Sequence, residues 1–332
     1  DMTHGAGGTG SLIDAQEDAL AGGGDRERAA DDPAVILYTS GTTGRSKGAM
    51  LTQNNLASNA LALHALWGFR PGDVLLHALP VFHIHGLFVA LHAAMLNGSE
   101  VLFLPAFETG AVRAAMARAS VMMGVPTFYT RLLADPNFGA EDAASMRLFI
   151  SGSAPLTVET FNAFAARTRQ RILERYGMSE AGMIAPNPLD GERIPGPVGF
   201  ALPDVSIRIR GEDGRLLPAG EAGNVEVKGP NIFAGYWRMP EKTAAEFRDG
   251  WFVTGDVGML DGDGRLTLVG RAKDLIIAGG YNIYPVEIEQ LLDALPGVAE
   301  SAGIGVPPPD QGEGGGARRV APESMGRPDG DA

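Results

Sequence analysis

Residues 34–48 read AVILYTSGTTGRSKG. The apolar start, 34–37, has the texture of a buried strand. The segment after it carries three glycines, two cations and a run of small hydroxyl side chains. A strand, a Gly/Ser/Thr loop and then a helix is a common way to hold a phosphate. Glycines let backbone N–H groups turn toward an anion, while hydroxyls and a lysine add donors and charge. The order predicts a phosphate loop between a strand at 34–39 and a helix at 53–67. The Walker form is excluded, because Lys47 follows Ser46 and precedes Gly48. A plain glycine-rich hairpin explains some of these residues, but not the small hydroxyls on both sides of Gly41.

Outward from this stretch, strand-like runs at 73–79, 100–104, 121–125, 147–151 and 171–176 alternate with helical patterns at 86–96, 109–119 and 157–168. Alternation of this kind predicts an α/β architecture with mostly parallel sheet. From 205 to 271 the texture changes. VSIRIR, NVEVKG, WFVTGDVGML and RLTLVGR are short alternating runs separated by EDG and DGDG turns, which predicts an antiparallel, barrel-like subdomain. A hairpin and a helix starting near Pro285 follow. The predicted organisation is a linker at 1–33, a large domain at 34–272, the start of a small α+β domain at 273–313, and a disordered tail at 314–332.

The 332 residues include 27 basic and 40 acidic side chains, for a net charge of −13. So acidic a chain does not favour nucleic acid or an anionic membrane as partner. With no cysteine, disulfides, thiolate zinc sites and a cysteine nucleophile are excluded. No apolar run reaches transmembrane length, and residues 1–33 lack the apolar core of a signal peptide. A cytoplasmic location is the expectation. His77, His83, His85 and His92 lie close in sequence, but with no cysteine and no H-E-x-x-H spacing a metal site there is not expected.

TSGTTGRSKG (39–48) resembles the phosphate-binding signature of the adenylate-forming acyl-CoA synthetases. Three further stretches resemble that family's motifs, in family order: LERYGMSE (173–180), FVTGDVG (252–258) and GRAKDLIIAGGYNIYPVEIE (270–289). Within the family, ALPVFHIHGLFVA (78–90), MGVPTFYTRLL (123–133), MRLFISGSAPL (146–156) and GPNIFAGYWRMPEKT (230–243) resemble the malonyl-CoA synthetase branch. The resemblance covers roughly 34–313. It implies a large N-terminal domain, a small mobile C-terminal domain, and ligation of a carboxylic acid to CoA through an acyl-adenylate, with ATP, Mg²⁺ and CoA taking part.

Carried over residue by residue, the resemblance places Thr39, Ser40, Gly41, Thr42, Thr43, Gly44 and Lys47 on the ATP phosphates. Tyr176, Gly177, Met178 and Ser179 fall beside the adenine, and Glu180 on Mg²⁺, a hard cation that takes oxygen ligands. Asp256 would accept the ribose hydroxyls, and Arg271 would reach ribose or phosphate. Lys273 would be the hinge, with Gly279 and Gly280 beside the CoA pantetheine. From sequence alone Tyr176 serves equally as a core tyrosine, while a lone Glu180 would read as a surface acid were it not framed by YGMSE. A dicarboxylate substrate needs a buried cation, ideally a bidentate arginine. Arg131 and Arg175 are the candidates, with Arg193 a weaker third, and Ser153 and His85 would complete that pocket.

The family's C-terminal domain also carries a lysine that serves adenylation. No lysine follows Lys273 here, and the family pattern departs from about 307. Impaired adenylation and a chain incomplete at both ends are therefore expected. The alternatives are a ligase for a fatty or other carboxylic acid, and a nucleotide-binding remnant without turnover.

Overall fold

Strand β1 (Pro33–Thr39) does not lead into a helix. In the computed structural model it turns back into strand β2 (Lys47–Thr52), with Tyr38 opposite Gly48 and Thr39 opposite Lys47. The helix α1 (Gln53–Leu66) begins only after β2. The N-terminus of α1 therefore does not directly follow the glycine-rich stretch, and the helix-dipole part of the phosphate argument does not apply. Strand β12 (Gly235–Tyr236) pairs with the other side of β2 and completes a three-stranded sheet. The structure describes residues 27–39 and 46–272, with shorter stretches at 276–278, 281–283, 285–293, 300–306 and 314–320 and single residues at 295 and 298.

The alternating region builds a six-stranded sheet in the order β4-β3-β5-β6-β7-β8. Its strands are β3 (Val74–His77), β4 (Glu100–Phe103), β5 (Val121–Gly124), β6 (Leu148–Ser151), β7 (Leu173–Met178) and β8 (Gly182–Pro186). All pairings are parallel except β7 with β8. Every residue of β5 and β6 is buried, the pattern of strands covered on both faces. The crossovers hold α2 (His92–Asn97), α3 (Thr109–Met116), α4 (Pro126–Ala134) and α5 (Val158–Thr168). A π-helical turn, His85–Leu91, precedes α2. Helix α4 was not read from the sequence. Its start is fixed by Pro126 in the first turn, where a missing N–H costs nothing. Helix α1 is held by a reciprocal cap, in which Thr52 Oγ1 accepts from Asn55 N and Asn55 Oδ1 accepts from Thr52 N.

The sheet's order reverses at β3, with β4 on one side and β5 on the other. In open α/β sheets such a switch point opens a crevice at the carboxyl ends of the strands. The core behind it includes Tyr129, Phe149 and Phe164 in edge-to-face contact, at 5.3 Å from Tyr129 to Phe164 and 5.0 Å from Phe149 to Phe164.

The antiparallel subdomain is a sheet with the path β10-β11-β14-β15-β9. These strands are β9 (Pro197–Gly199), β10 (Ser206–Arg210), β11 (Gly223–Lys228), β14 (Trp251–Leu260) and β15 (Leu266–Arg271). Strand β13 (Phe247–Arg248) adds a short pairing to β14, and helix α6 (Pro240–Ala245) lies just before it. The pairing of β14 with β15 sets Asp256 opposite Arg271.

Beyond residue 272, β16 (Ile276–Ala278) and β17 (Tyr281–Ile283) form the expected hairpin, and α7 (Pro285–Asp293) the expected helix. Strands β18 (Glu300–Val306) and β19 (Gly314–Val320) pair along their whole length. Residues 314–320, which the sequence assigns to a disordered tail, are thus paired as a strand with β18. Among the described residues no helix is long and apolar enough to cross a membrane.

Candidate active site

Strand β7 and the turn after it carry the residues that organise the site. Along LERYGMSE, Glu174, Arg175 and Tyr176 are buried in the strand, and Ser179 and Glu180 form the turn into β8. Gly177 is required here, because a Cβ would stand 2.3 Å from the Gly182 carbonyl oxygen across the hairpin. Met178 pairs with Gly182.

Two clusters form around this spine. In the first, Lys47 at the start of β2 donates to the Tyr236 hydroxyl at 3.2 Å. Tyr236 donates in turn to Glu180 Oε1 at 2.9 Å. Lys47 also lies 3.8 Å from Glu246, which takes a second lysine, Lys242, at 2.7 Å. Burial, with the Glu180 charge beside it, pushes the Tyr236 phenol above its usual range, so it stays a neutral donor. Alongside, the Tyr176 hydroxyl donates to Asp256 Oδ2, and Arg271 Nε donates to Asp256 Oδ1 at 2.8 Å. Burial raises the Asp256 carboxyl, Arg271 and Tyr176 pull it back, and the Glu180 charge adds to the rise. Tyr176 lies on β7 and Glu180 in the turn that follows it, so the two groups share one short segment of chain.

The second cluster lies at the carboxyl ends of the parallel strands. Arg175, only 2% exposed, donates from Nη2 to Ser153 Oγ at 3.3 Å. Ser153 Oγ is also 3.3 Å from His85 Nδ1. The guanidinium lies flat against Gly152, where a Cβ would stand 2.4 Å from its atoms. Ser153 has a φ of 71°, a left-handed conformation unusual for a side-chain-bearing residue. Burial pulls the Arg175 guanidinium down to about 9, leaving it charged at neutral pH. Burial, and then the Arg175 charge, holds the His85 imidazole well below its usual range, so it is neutral. Arg175 Nε and His85 Nε2 have no hydrogen-bond partner.

Of the residues expected from sequence, Lys47, Tyr176, Glu180, Asp256 and Arg271 come together, as do His85, Ser153 and Arg175. Thr39 ends β1 opposite Lys47, with its buried hydroxyl unpartnered. Arg131 does not join them. It is exposed on α4, with its guanidinium 5.0 Å from the Phe107 ring centre. Arg193 is a loop staple that donates to the carbonyls of Arg171, Pro188 and Leu189. Ser40, Gly41, Thr42, Thr43, Gly44, Lys273, Gly279 and Gly280 lie outside the described residues.

Sequence reasoning missed Tyr236, Glu246 and Glu174. Tyr236 sits in an apolar-aromatic motif 56 residues from Glu180, and only pairing of β12 with β2 brings it to Lys47. Glu174 did leave a signal, as an acid beside a base inside an otherwise apolar strand. Among the described residues no group of three or more His, Cys, Asp or Glu is placed to hold a metal. Glu180 on its own supplies a hard oxygen ligand of the kind Mg²⁺ takes.

A model of the AMP-binding enzyme family matches residues 8–237. The ATP-bound structure of MatB from Rhodopseudomonas palustris superposes with a TM-score of 0.92 at 55% identity, covering 96% of this chain and 63% of that one. A feruloyl-CoA synthase from Amycolatopsis is 40% identical over 308 residues, covering 91% of this chain and 62% of the relative. A malonate–CoA ligase from Arabidopsis thaliana is 38% identical over 305 residues, covering 85% and 50% respectively. The chain thus spans between half and two thirds of the length of these relatives. With a family match over most of its length and these relatives across nearly all of it, the chain belongs to the AMP-binding enzyme family.

Proposed function

We propose that this chain serves ATP-dependent ligation of a carboxylic acid to CoA, and that its acid is a short dicarboxylate of the malonate or methylmalonate type. In the first step a carboxylate oxygen attacks the α-phosphorus of ATP, and pyrophosphate leaves. In the second the CoA thiol attacks the acyl carbon, and AMP leaves. A carboxylate is a poor acyl donor, and the mixed anhydride supplies the leaving group. Positioning and charge neutralisation carry such chemistry. Lys47 and the loop before it would face the phosphates. Asp256, held by Tyr176 and Arg271, would face the ribose. Glu180, oriented by Tyr236, would hold Mg²⁺, which supplies charge neutralisation on the phosphates.

The observation that carries the dicarboxylate reading is Arg175. It is a buried cation whose one described partner is a neutral hydroxyl, with Nε unmet. A buried cation without an anion is costly, and an incoming carboxylate relieves that cost. A hydrocarbon or aromatic acyl tail would leave it unrelieved. The likeness to MatB and to the malonate–CoA ligase supports the same reading.

The test is a panel of malonate, methylmalonate, propionate and ferulate, offered with a nonhydrolysable ATP analogue to the chain and to R175L. Malonate should bind the unmodified chain, propionate and ferulate at least about tenfold more weakly, and R175L should lose the difference. Tighter binding of ferulate or propionate than of malonate would overturn the dicarboxylate assignment.

A further inference from the structure

Glu174 and Arg175 are neighbours on β7, and successive side chains on a strand point to opposite faces. Both are buried, at 3% and 2% exposure. They do not satisfy one another, since Glu174 Oε2 and Arg175 Nε each lack a hydrogen-bond partner. Glu174 instead uses Oε1 to accept the Leu156 N–H at 3.1 Å. On its own face it stands in register with Ser151, whose buried hydroxyl is also unpartnered. Leu156 ends the loop that begins with Gly152 and Ser153. One face of β7 therefore grips the near end of this loop, through Arg175 and Ser153. The other face grips its far end, through Glu174 and Leu156.

We propose that Glu174 is the positioning residue of the acid pocket, holding the 152–156 loop from behind β7 while leaving the Arg175 charge free for the distal carboxylate of the substrate. This rests on the dicarboxylate reading above. The loop must be held because Ser153 sits in a left-handed conformation, which persists only when its surroundings fix it. The acid must also stay neutral, since an ionised carboxylate beside Arg175 would compete with the substrate for the guanidinium. Burial supplies that neutrality. It pushes the Glu174 carboxyl up to about 8, against the opposing pull of the Leu156 N–H and of Arg175. Arg175 is the charged group bearing on Glu174 among the described residues. The titratable groups bearing on Arg175 are Glu174 across the strand, the Tyr129 hydroxyl and the neutral His85.

The experiment titrates malonate calorimetrically into the full chain with a nonhydrolysable ATP analogue bound, at pH 7 and pH 9. The unmodified chain is compared with E174Q, which keeps an acceptor for Leu156 and cannot ionise, and with E174L, which keeps neither property. For the unmodified chain the malonate Kd should weaken by about tenfold between the two pH values. E174Q should restore neutral-pH affinity relative to E174L and weaken by about threefold or less. E174L should bind malonate about tenfold more weakly at pH 7 with its affinity for the ATP analogue intact. Coincident pH profiles for E174Q and the unmodified chain would overturn the proposal, as would full malonate affinity in E174L. If E174L does not fold, the comparison with E174Q still decides. A chain that binds the ATP analogue but no malonate would instead overturn the dicarboxylate reading, and this proposal with it.

Discussion

On the nucleotide side of β7, Asp256 lies between Tyr176 and Arg271, and Lys47 lies between Tyr236 and Glu246. On the acid side, Arg175 is as deeply buried as any of these, yet donates to a single serine hydroxyl. The two regions solve the burial of charge in opposite ways. A paired charge is neutralised in advance, and its site is shaped before the ligand arrives. An unpaired buried charge keeps its full desolvation cost until an anion enters. Pairing thus suits a cluster that orients hydroxyls and metal. An open charge suits a pocket that selects for a second carboxylate.

The largest expected effect breaks the open side. R175L should lower malonate affinity by at least about a hundredfold, read by calorimetry, and leave ATP-analogue affinity alone. Removing a buried uncompensated cation should also hold or raise the melting temperature. A marked fall in Tm would mean that Arg175 is structurally paired after all.

A second effect concerns stability and pH. Glu174 is raised from 4.5 to about 8, so the folded chain holds a proton that the unfolded chain has released. The stability tied to that proton is whole below about 4.5 and is lost as pH rises through about 8. The Tm of the unmodified chain should fall relative to E174Q across that window, by the equivalent of on the order of 5 kcal/mol. Asp256 shifts in the same direction, but its contribution is common to both proteins and cancels in the difference.

On the paired side, D256N should cost about 2 kcal/mol of stability, because Arg271 and Tyr176 lose an ionised acceptor. It should also weaken AMP binding about tenfold. Chemical unfolding with and without AMP separates the two losses. Y236F should cost less, about 1 kcal/mol in Mg-ATP binding, since only the hydroxyl between Lys47 and Glu180 goes. A Mg²⁺ titration at fixed ATP would show it as a shifted metal dependence. The smallest effect is R131A, which should leave malonate affinity within about twofold. A larger change would move the substrate boundary toward α4 and blur the contrast between the two regions.

Much of this was legible in the chain. The alternating strands and helices of 73–176, the antiparallel texture after 205 and the helix at Pro285 all follow from hydrophobic periodicity and turn residues, which are local properties. The grouping of Lys47, Glu180, Asp256 and Arg271 was also foreseen, through a resemblance in which each residue keeps its place in a short motif. The pairing of β1 with β2 before any helix begins was harder. Strand β2 also takes β12 as a partner from nearly two hundred residues away, which no local pattern announces.

The sequence by itself determined the architecture, the family and the residue types of the site, because periodicity, turn chemistry and motif spacing are written into neighbouring positions. It supplied three arginines for a carboxylate, ranked Arg193 third, and had nothing local to separate Arg131 from Arg175. Only the tertiary structure did so. It stacked Arg131 on Phe107, spent Arg193 on three carbonyls and sank Arg175 beside Ser153 and His85. The reason is physical. The meaning of a charge depends on its burial and its partners, and both are decided by chains of residues distant in sequence.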